Sequence, residues 1–398
     1  MEWNRFNFEY RYHVDGLLAM LVAVEANKEA ALNLILQPSW RLQLDRLNRV
    51  RAVYGTTALE GNPLSEAEVS KQLEILDEQG ERALEAPRLT REQIQILNSS
   101  VAQGWTKQRF QPGCPPLEVS DILKMHQILT RQSDTKDNIP GKFRTWEVTV
   151  GSPEAGGVHK GAPHAQIEQL MEGFVRFVNS RRLQAEHPVI RALLAHFFLV
   201  TIHPFGDGNG RVSRLVEAAI LFQNGYNVHG FYGLSNYFYR HELQYKTSLQ
   251  RCRVAIPFDV TGIVNFGLEG FSQELRGINN FVKTKLNRVV YRDMLVRNFN
   301  TRIGPRRRLL NQREYNLLHF LITTTEPTDP FSSVPSRRVS FTELRSSDYV
   351  TGAYRKVTQR TFYRELSRLA QEGFIKFSRD EQVQDWIVEL DFQAVEKH

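Results

Sequence analysis

The amino-acid sequence predicts a mainly α-helical protein with one small β-hairpin and a mixed helix–strand region near its C-terminal end. Apolar residues recur at helical spacing through most of the chain before residue 302, and capping boxes such as Ser65 with Glu68 mark predicted helix starts. Only short runs, such as residues 148–151, alternate in the way that strands do. The composition changes near residue 302. We therefore expect three parts, at residues 1–110, 111–301 and 302–398.

Cysteine content and apolar run length restrict the class of protein. The 398 residues include two cysteines, Cys114 and Cys252, which are too few for a disulfide framework, so we expect a reducing, cytoplasmic compartment. The first residues carry charges and no apolar block, which argues against a secretory signal. The longest apolar run, at residues 192–202, is too short to span a bilayer and contains His196. We therefore expect no membrane partner.

The first part of the chain is predicted to be helical. Apolar residues at helical spacing occur at 17–22 and at 32–35. A longer pattern covers residues 40–59 and stops at Gly61, with Pro63 close behind. The predicted apolar side of this long helix consists of Leu42, Leu44, Leu47, Val50, Val53 and Tyr54.

Further helices are predicted in the middle of the chain, over residues 116–130, 165–180 and 188–202. The last of these begins with Pro188, which a first helical turn tolerates because the N–H that it lacks would have no partner there. It ends at His203, since Pro204 disfavours the helical conformation for the residue before it. Another helical pattern starts near Arg211 and continues to about residue 225.

A glycine-rich loop of sequence Gly-Asp-Gly-Asn-Gly, residues 206–210, joins these last two helices. Glycines permit positive φ, so successive N–H groups can converge into an anion-binding concavity, and the following helix adds its positive end. Arg211 and Arg214 add full charges. A plain turn does not need three glycines and two arginines, an EF-hand loop would need a ligand where Arg211 stands, and the Walker ending Gly-Lys-Ser/Thr is absent. The residues therefore predict a phosphate-handling centre.

The twelve residues from His203 to Arg214 resemble the complete signature of the Fic family, whose members transfer nucleotides onto protein hydroxyls. The resemblance covers roughly residues 1–300 and implies an all-helical core with a small β-hairpin flap beside the active site. We expect this flap at residues 148–158. In the family the exposed edge of the flap holds the target segment by strand addition. A generic surface hairpin is the alternative.

The resemblance also implies roles for the residues of the signature. His203 would be the general base, a role that suits an imidazole with an unperturbed pKa of about 6.5. Asp207 would hold Mg²⁺, and Phe205 would anchor the loop in the core. The residues expected to bind ATP and its phosphates are Gly206, Asp207, Gly208, Asn209, Gly210, Arg211 and Arg214.

A second, shorter motif lies at residues 56–62. Glu60 ends the long helix of residues 40–59, where the helix dipole disfavours a carboxylate by about 0.3–1 kcal/mol. Taken alone, it would be an exposed acid that tolerates its position. However, Thr56, Glu60 and Gly61 resemble the Ser/Thr-x-x-x-Glu-Gly/Asn motif of the inhibitory helix found in many Fic proteins. The resemblance implies that Glu60 pairs with Arg214 and spoils the seat of the γ-phosphate.

Tyr245 is a further candidate for nucleotide binding. Together with residues 234–238, it resembles the stretch that closes the nucleotide pocket in the family. Relatives often have two successive tyrosines here, whereas this chain has Tyr245 followed by Lys246. Tyr245 is equally plausible as a core aromatic residue with a hydrogen-bonded hydroxyl. Two histidines between the flap and the next helix, His159 and His164, are expected at the surface.

The C-terminal part is basic and differs in pattern. Residues 302–380 contain fifteen Lys/Arg against eight Asp/Glu, a surplus that equals the net charge of the whole chain, +7. Helical patterns at residues 308–322, near 341–344 and at 357–369 precede two strand-like runs at 374–377 and 386–390. Three helices and a two-stranded wing resemble a winged helix-turn-helix, with the third helix able to enter a major groove. DNA binding through residues 340–390 and protein contact remain alternatives.

The function implied by the resemblance is transfer of AMP from ATP to a Ser, Thr or Tyr hydroxyl of a protein, with autoinhibition by Glu60. Gly210 favours nucleotidyl transfer, because some relatives with lysine at that position transfer phosphate instead. Removal of AMP from a modified protein, with Glu60 orienting a water, is the alternative activity. A nucleotide-sensing DNA-binding regulator is the alternative from another class. Both monomeric and homodimeric states are left open.

Overall fold

The computed structural model of the protein confirms a mainly helical fold. The chain divides into two compact units, residues 1–275 and 276–398. Within them, the structure describes residues 3–33, 36–86, 89–132, 138–226, 230, 233–254, 256–304, 307–327, 337–380 and 384–398. Leu34 and Ile35, part of one predicted helical pattern, lie outside these described ranges.

The first unit is built from helices with short connections. Its helices are α1 (Leu17–Leu32), α2 (Pro38–Ala58), α3 (Glu66–Gln79), α4 (Arg91–Arg109), α5 (Val119–Leu129), α6 (Ile167–Val178), α7 (Arg181–Gln184), α8 (Pro188–Ile202), α9 (Asn209–Gln223), α10 (Ser235–Arg240), α11 (Glu242–Cys252) and the first part of α12 (Thr261–Asn300). The Ser65–Glu68 capping box is present at the start of α3. The longest of these helices, α12, has 40 residues.

Two small β-structures accompany these helices. β1 (Tyr10–Arg11) pairs in parallel with β4 (Phe258–Asp259). β2 (Thr149–Ser152) and β3 (Gly157–Lys160) form an antiparallel hairpin in which Thr149 faces Lys160 and Ser152 faces Gly157. The hairpin expected at residues 148–158 is therefore present, displaced by one to two residues along the chain.

Helices α8 and α9 lie in the centre of the first unit. Nearly all residues of both helices are buried, which explains why α8 is apolar around most of its circumference. Pro188 occupies the first turn of α8, and the helix ends before His203, as predicted. α9 starts at Asn209, two residues earlier than expected, because Gly208 adopts a left-handed conformation and turns the chain directly into the helix.

The apolar side predicted for α2 is correct in part. Leu44, Val50 and Val53 are buried, but Leu42 is 71% exposed. Leu42 lies in the second turn of the helix, before α2 packs closely against its neighbours. Periodicity alone does not report how far along a helix the packing partners extend.

The second unit has a core of its own, formed by α13 (Gln312–Thr324), α14 (Phe341–Ser346), α15 (Asp348–Ala353), α16 (Gln359–Gln371) and α17 (Ala394–Lys397). Its strands are β5 (Arg302–Gly304), β6 (Arg307–Arg308), β7 (Val339–Ser340), β8 (Ile375–Asp380) and β9 (Asp385–Leu390). β7, β9 and β8 form one antiparallel sheet in that order. The β8–β9 pair was predicted, and the short β7 was not.

Two details of this unit differ from the predicted pattern. α13 starts at Gln312, four residues after the predicted start, because Asn311 and Glu314 form a capping box that fixes the N-terminal end of the helix. In the basic segment before it, where no strand was predicted, Arg302–Gly304 pairs in antiparallel fashion with Arg307–Arg308. The order of helices and strands fits a winged helix-turn-helix, which stays a prediction.

Within the described ranges, no helix combines the length and the apolar character needed to cross a membrane.

Candidate functional site

His203 stands where α8 ends, and it lines a cavity of about 490 Å³. Its backbone is left-handed, with φ 57° and ψ 59°, so the helix cannot continue. Its Nδ1 lies 3.4 Å from the carbonyl oxygen of Val200 and donates to it. The proton is then on Nδ1, and Nε2 carries the lone pair. Burial lowers the pKa of the imidazole to about 4, and repulsion from Arg253 and Arg144 contributes. His203 is therefore neutral at pH 7.

The loop after His203 is held by its own side chains. Asn209 accepts a hydrogen bond from the backbone N–H of Phe205 (2.9 Å) and donates one to its carbonyl (2.8 Å). Phe205 is fully buried, as expected for an anchor. Of the three loop glycines only Gly208 has positive φ, at 81°. The side chain of Asn209 is thus used inside the loop, and only its backbone N–H is left to face an anion.

Asp207 and Arg211 form an ion pair one helical turn apart, with Oδ2 and Nη2 3.0 Å from each other. The backbone N–H of Gly208 donates to the other carboxylate oxygen at 2.6 Å. Burial raises the pKa of the Asp207 carboxyl, but Arg211 and the Gly208 N–H more than offset this, so the net pKa lies below its ordinary value. Asp207 is therefore ionised at neutral pH, with a third of its side chain accessible.

These properties fit a magnesium site that depends on a bound nucleotide. Among the described residues, no group of three or more His, Cys, Asp or Glu side chains could hold a metal alone. Mg²⁺ is usually bound by one or two carboxylates together with phosphate oxygens and waters. A single ionised, partly exposed carboxylate at the edge of the loop is consistent with that donor set.

Arg214 is held by Thr56 in the last turn of α2 and by Glu60 just after it, more than 150 positions earlier in the chain. Its Nε donates to the Thr56 hydroxyl at 2.7 Å, and its Nη2 donates to the Thr56 carbonyl at 3.0 Å and to Glu60 Oε1 at 2.7 Å. The Arg214 side chain is 3% exposed and that of Glu60 is 31% exposed. The structure therefore brings the predicted inhibitory residues and the second arginine of the loop together.

Charge and space around Glu60 are matched to this pair. Burial raises the pKa of the Glu60 carboxyl, while Arg214 and Arg211 lower it by more, so the net pKa lies below its ordinary value. Gly61 has φ 83° and turns the chain away directly after Glu60. A Cβ at Gly210 would collide with Glu60 Oε1. Glycine at position 210 therefore leaves room for the carboxylate to reach Arg214.

Two residues that support the loop were not predicted. His126 of α5 stacks on Phe205, with ring centroids 3.8 Å apart. Its Nδ1 accepts from the Gly141 N–H at 3.0 Å, so Nε2 carries the proton and donates to the Asp207 carbonyl at 3.1 Å. Asn138 accepts from the Asp207 N–H at 3.2 Å. Only the apolar spacing of α5 was visible in the sequence, and it cannot show that a buried histidine faces this loop.

The base of the hairpin is also tied to the loop. Arg144 donates to the backbone carbonyls of His203 (2.8 Å) and Ala162 (2.5 Å). The prediction that His159 lies at the surface is wrong, because it is 5% exposed and its Nε2 donates to the Thr201 carbonyl at 2.8 Å. This hydrogen bond holds the side chain against the last turn of α8. His164 is exposed, as expected, and contacts Glu147.

Tyr245 lies in the wall of the cavity and is 4% exposed. Its ring stacks on Phe238 with centroids 4.6 Å apart. Its hydroxyl contacts His196 Nε2 at 2.7 Å and interacts electrostatically with Arg214, which lines the same cavity. The structure thus places Tyr245 beside the predicted phosphate site, as a packed aromatic residue whose hydroxyl has protein partners.

Sequence comparison relates this region to known proteins. The sequence model of the Fic/DOC family matches residues 116–221, which include every residue from His203 to Arg214. The chain is 33% identical over 174 residues to "Protein adenylyltransferase Fic" of Drosophila ananassae, covering 44% of this chain and 32% of that protein. It is 32% identical over 177 residues to the protein of the same name from Aedes aegypti, covering 44% and 33%. The chain therefore spans about a third of the length of these curated relatives.

Solved structures share the fold. A Fic family protein from Desulfovibrio desulfuricans G20 is similar with a TM-score of 0.54 and 16% identity, over 96% of this chain and 98% of that chain. Fic-1 (aa134 - 508) from C. elegans is similar with a TM-score of 0.53 and 22% identity, over 67% and 73%. At these identities the likeness concerns the fold alone.

Proposed function

Because the chain carries a Fic/DOC family domain at residues 116–221, we propose that it transfers AMP from ATP to a hydroxyl group of a protein. The observation that carries this proposal is the neutral imidazole of His203 in one cavity with Arg214, next to the Gly208–Arg211 turn. A neutral base and a cluster of N–H groups and cations are the two components that transfer of a phosphorus group to a hydroxyl requires.

The proposed step has a simple balance of bonds. The target hydroxyl oxygen attacks the α-phosphorus of ATP while its proton moves to Nε2 of His203. The bond between the α-phosphorus and the bridging oxygen breaks, and pyrophosphate leaves with that oxygen. Arg211 and Arg214, together with the N–H groups at the start of α9, stabilise the charge that develops on the leaving group.

Asp207 is the residue that would hold Mg²⁺, which supplies further neutralisation of the phosphates when bound. Its carboxylate is ionised. Asn138 binds the Asp207 N–H and His126 binds the Asp207 carbonyl, so the backbone is fixed on both sides of the Asp207 Cα. The residues of β2 that line the cavity are suited to hold a target segment, because the outer edge of a two-stranded hairpin leaves backbone groups unpaired.

We further propose that the described conformation is inhibited. Arg214 already has a carboxylate partner in Glu60 and a hydroxyl partner in Thr56, so it cannot at the same time serve the terminal phosphate of ATP. Displacement of Glu60 would return Arg214 to the nucleotide. Regulation and catalysis then both depend on the guanidinium group of Arg214.

Incubation with ATP labelled at the α-phosphate, in the presence of Mg²⁺, tests the activity. We expect label on this protein or on proteins of a lysate, weakly with the wild type and strongly with Glu60→Gly. His203→Ala in the Glu60→Gly background should give no label, while His164→Ala, which alters an exposed histidine, should not matter. Absence of label from every variant would contradict the proposal.

Removal of AMP from a modified protein is the alternative for the same site, because Glu60 is ionised and could orient a water. A target that has been labelled by Glu60→Gly distinguishes the two directions. Loss of label on addition of wild-type protein, but not of His203→Ala, would show removal.

A second candidate function concerns the second unit, for which we propose DNA contact through α16. Phe362, Leu366 and Leu369 of this helix are buried, whereas Arg360 and Arg364 are exposed on its other side. A duplex-binding helix of this kind should show strong salt dependence. Arg360→Ala and Arg364→Ala should each weaken binding of the full chain to a duplex at low salt. No shift in duplex mobility at low salt would assign this surface to protein contact.

A further inference from the structure

Three buried polar side chains form a chain of contacts that ends at Arg214. Glu217 of α9, His196 of α8 and Tyr245 of α11 are each less than 5% exposed. Glu217 Oε2 lies 2.8 Å from His196 Nδ1, and His196 Nε2 lies 2.7 Å from the Tyr245 hydroxyl. Burying three such groups is costly unless each is hydrogen-bonded, and none of the three belongs to the proposed chemistry.

The direction of each hydrogen bond follows from the group at the Glu217 end of these contacts, the backbone N–H of Leu234. The backbone N–H of Leu234 can only donate, and it does so to Glu217 Oε1 at 3.2 Å. The other carboxylate oxygen accepts from His196, so Nδ1 carries the imidazole proton and Nε2 has the lone pair. The Tyr245 hydroxyl therefore donates to Nε2. Burial raises the pKa of this phenol to about 12, so the donated proton is present throughout the neutral range.

Once its proton points at His196, the Tyr245 oxygen has lone pairs available to Arg214, which lines the same cavity and interacts with it electrostatically. The guanidinium then has two sets of neighbours. Thr56 at the end of α2 and Glu60 just after it accept hydrogen bonds from it, and the Tyr245 hydroxyl lies beside it in the cavity wall. The ion pair ends when Glu60 withdraws, whereas the interaction with Tyr245 does not depend on Glu60.

We propose that Tyr245 is a positioning residue which, through His196 and Glu217, keeps Arg214 directed at the terminal phosphates of ATP when Glu60 is displaced. This inference deepens the proposed function and rests on it. It gives Tyr245 a role that its hydroxyl group carries, in place of the pocket-closing role that the sequence predicted for its ring.

Glu217→Gln offers a test at a distance from the cavity. The Leu234 N–H obliges the glutamine to keep its carbonyl oxygen on that side, so its NH₂ faces His196. Nδ1 must then accept, and the imidazole proton moves to Nε2. The Tyr245 oxygen accepts from Nε2, and its own proton turns towards Arg214, which has no lone pair to receive it. An almost isosteric change thus reverses the direction of the hydrogen bonds from residue 217 through His196 to Tyr245.

The first measurement needs no nucleotide. The ¹⁵N chemical shifts of the His196 ring, identified with a His196→Gln variant, report which nitrogen carries the proton. We expect a protonated Nδ1 in the wild type and a protonated Nε2 in Glu217→Gln. The same tautomer in both proteins would overturn the inference, whatever the activity of the protein.

The second measurement compares nucleotides in the Glu60→Gly background by titration calorimetry. Tyr245→Phe keeps the ring and removes the hydroxyl, and Glu217→Gln reverses the chain. Both should weaken ATP binding about tenfold and change AMP binding by less than about twofold, because AMP lacks the phosphates that Arg214 serves. Tyr226→Phe, a buried tyrosine whose hydroxyl contacts Glu25, is the matched control and should change neither.

The outcomes separate the two proposals. Equal losses for ATP and AMP, or no loss for ATP, would overturn the positioning role. A parent Glu60→Gly protein that binds neither nucleotide would contradict the proposed function instead, and the ¹⁵N experiment would still decide whether the chain of hydrogen bonds exists.

Discussion

His203 is kept neutral by its surroundings, which determines how transfer should depend on pH. Its pKa of about 4 reflects burial first and repulsion from Arg253 and Arg144 second. The base therefore stays unprotonated well below the ordinary histidine range. We expect kcat/KM of Glu60→Gly, which reports the free enzyme, to hold as pH falls from 7 to 5 and to drop through about pH 4. A drop centred near pH 6.5 would show that the imidazole is not desolvated in this way.

Glu60 and Arg214 can be separated by a pair of variants. Glu60→Gly should raise labelling by one or more orders of magnitude, since each ~1.4 kcal/mol of competition removed is worth tenfold. If Glu60 acts by occupying Arg214, then adding Arg214→Ala should return labelling towards the wild-type level or below. Quantified labelling of a common target measures both. High activity in the double variant would mean that Glu60 inhibits by another route.

Thr56 was predicted as part of the inhibitory motif, and its hydroxyl accepts from Arg214 Nε at 2.7 Å. Thr56→Val removes that acceptor and keeps the shape, so the grip of α2 on Arg214 should weaken. We expect a severalfold rise in labelling, smaller than that of Glu60→Gly, because the ion pair remains. Thr57→Val is the matched control, since within the described part of the chain the Thr57 hydroxyl donates to the carbonyls of Val53 and Tyr54 in its own helix. An equal effect of both changes would point to helix stability as the cause.

At the scale of secondary structure, much of the fold could be predicted because local chemistry determines it. Capping boxes, Pro188 and the Pro204 rule located helix ends within a few residues. The hairpin was predicted from a run of β-branched residues. By contrast, the burial of His159 depends on its contact with the Thr201 carbonyl in the last turn of α8, and β7 has only two residues. Such features are consequences of packing between distant segments, and no local pattern encodes them.

The proposed inhibition requires α2 to stay in place, and α2 packs closely against α10. A Cβ at Gly55 would lie 2.7 Å from backbone atoms of Ser235 and Asn236, which cannot move aside as a flexible side chain can. Gly55→Ala should therefore push α2 away from α10 at the position directly before Thr56. We expect a loss of about 1–3 kcal/mol in unfolding free energy and a rise in labelling per folded molecule.

The matched control is Gly104→Ala on α4, where an added Cβ meets no atom within 4 Å. An alanine in that helix should stabilise it by up to about 1 kcal/mol and leave labelling unchanged. Denaturation curves and labelling of the two variants, measured side by side, test the element contact. Unchanged labelling by a destabilised Gly55→Ala protein would show that α2 can shift without releasing Arg214.

At the scale of the whole molecule, the site draws on segments that are far apart in the sequence. Residues 203–214 could be identified because they are contiguous and chemically unusual. Glu60 could be connected to them only through a family resemblance. His126, Asn138 and Arg144 could not be identified, because single polar residues on helices and loops carry no signal of the loop that they support. Function here resides in a loop whose geometry is set by the rest of the unit.

The burial of several histidines in this unit predicts how its stability depends on pH. His126, His159 and His203 have pKa values of about 4, 3 and 4, in each case mainly because burial disfavours the charged form. Between these values and the unfolded value of about 6.5, the unfolded chain binds more protons than the native one. Stability is therefore complete above pH 6.5 and is lost as pH falls, by roughly 1.4 kcal/mol per pH unit for each histidine. Denaturant unfolding from pH 7.5 to 5 should show this fall, and His159→Gln should reduce its slope by the share of one histidine, roughly 1.4 kcal/mol per pH unit. A slope that is the same in both proteins would mean that His159 is not held neutral by burial.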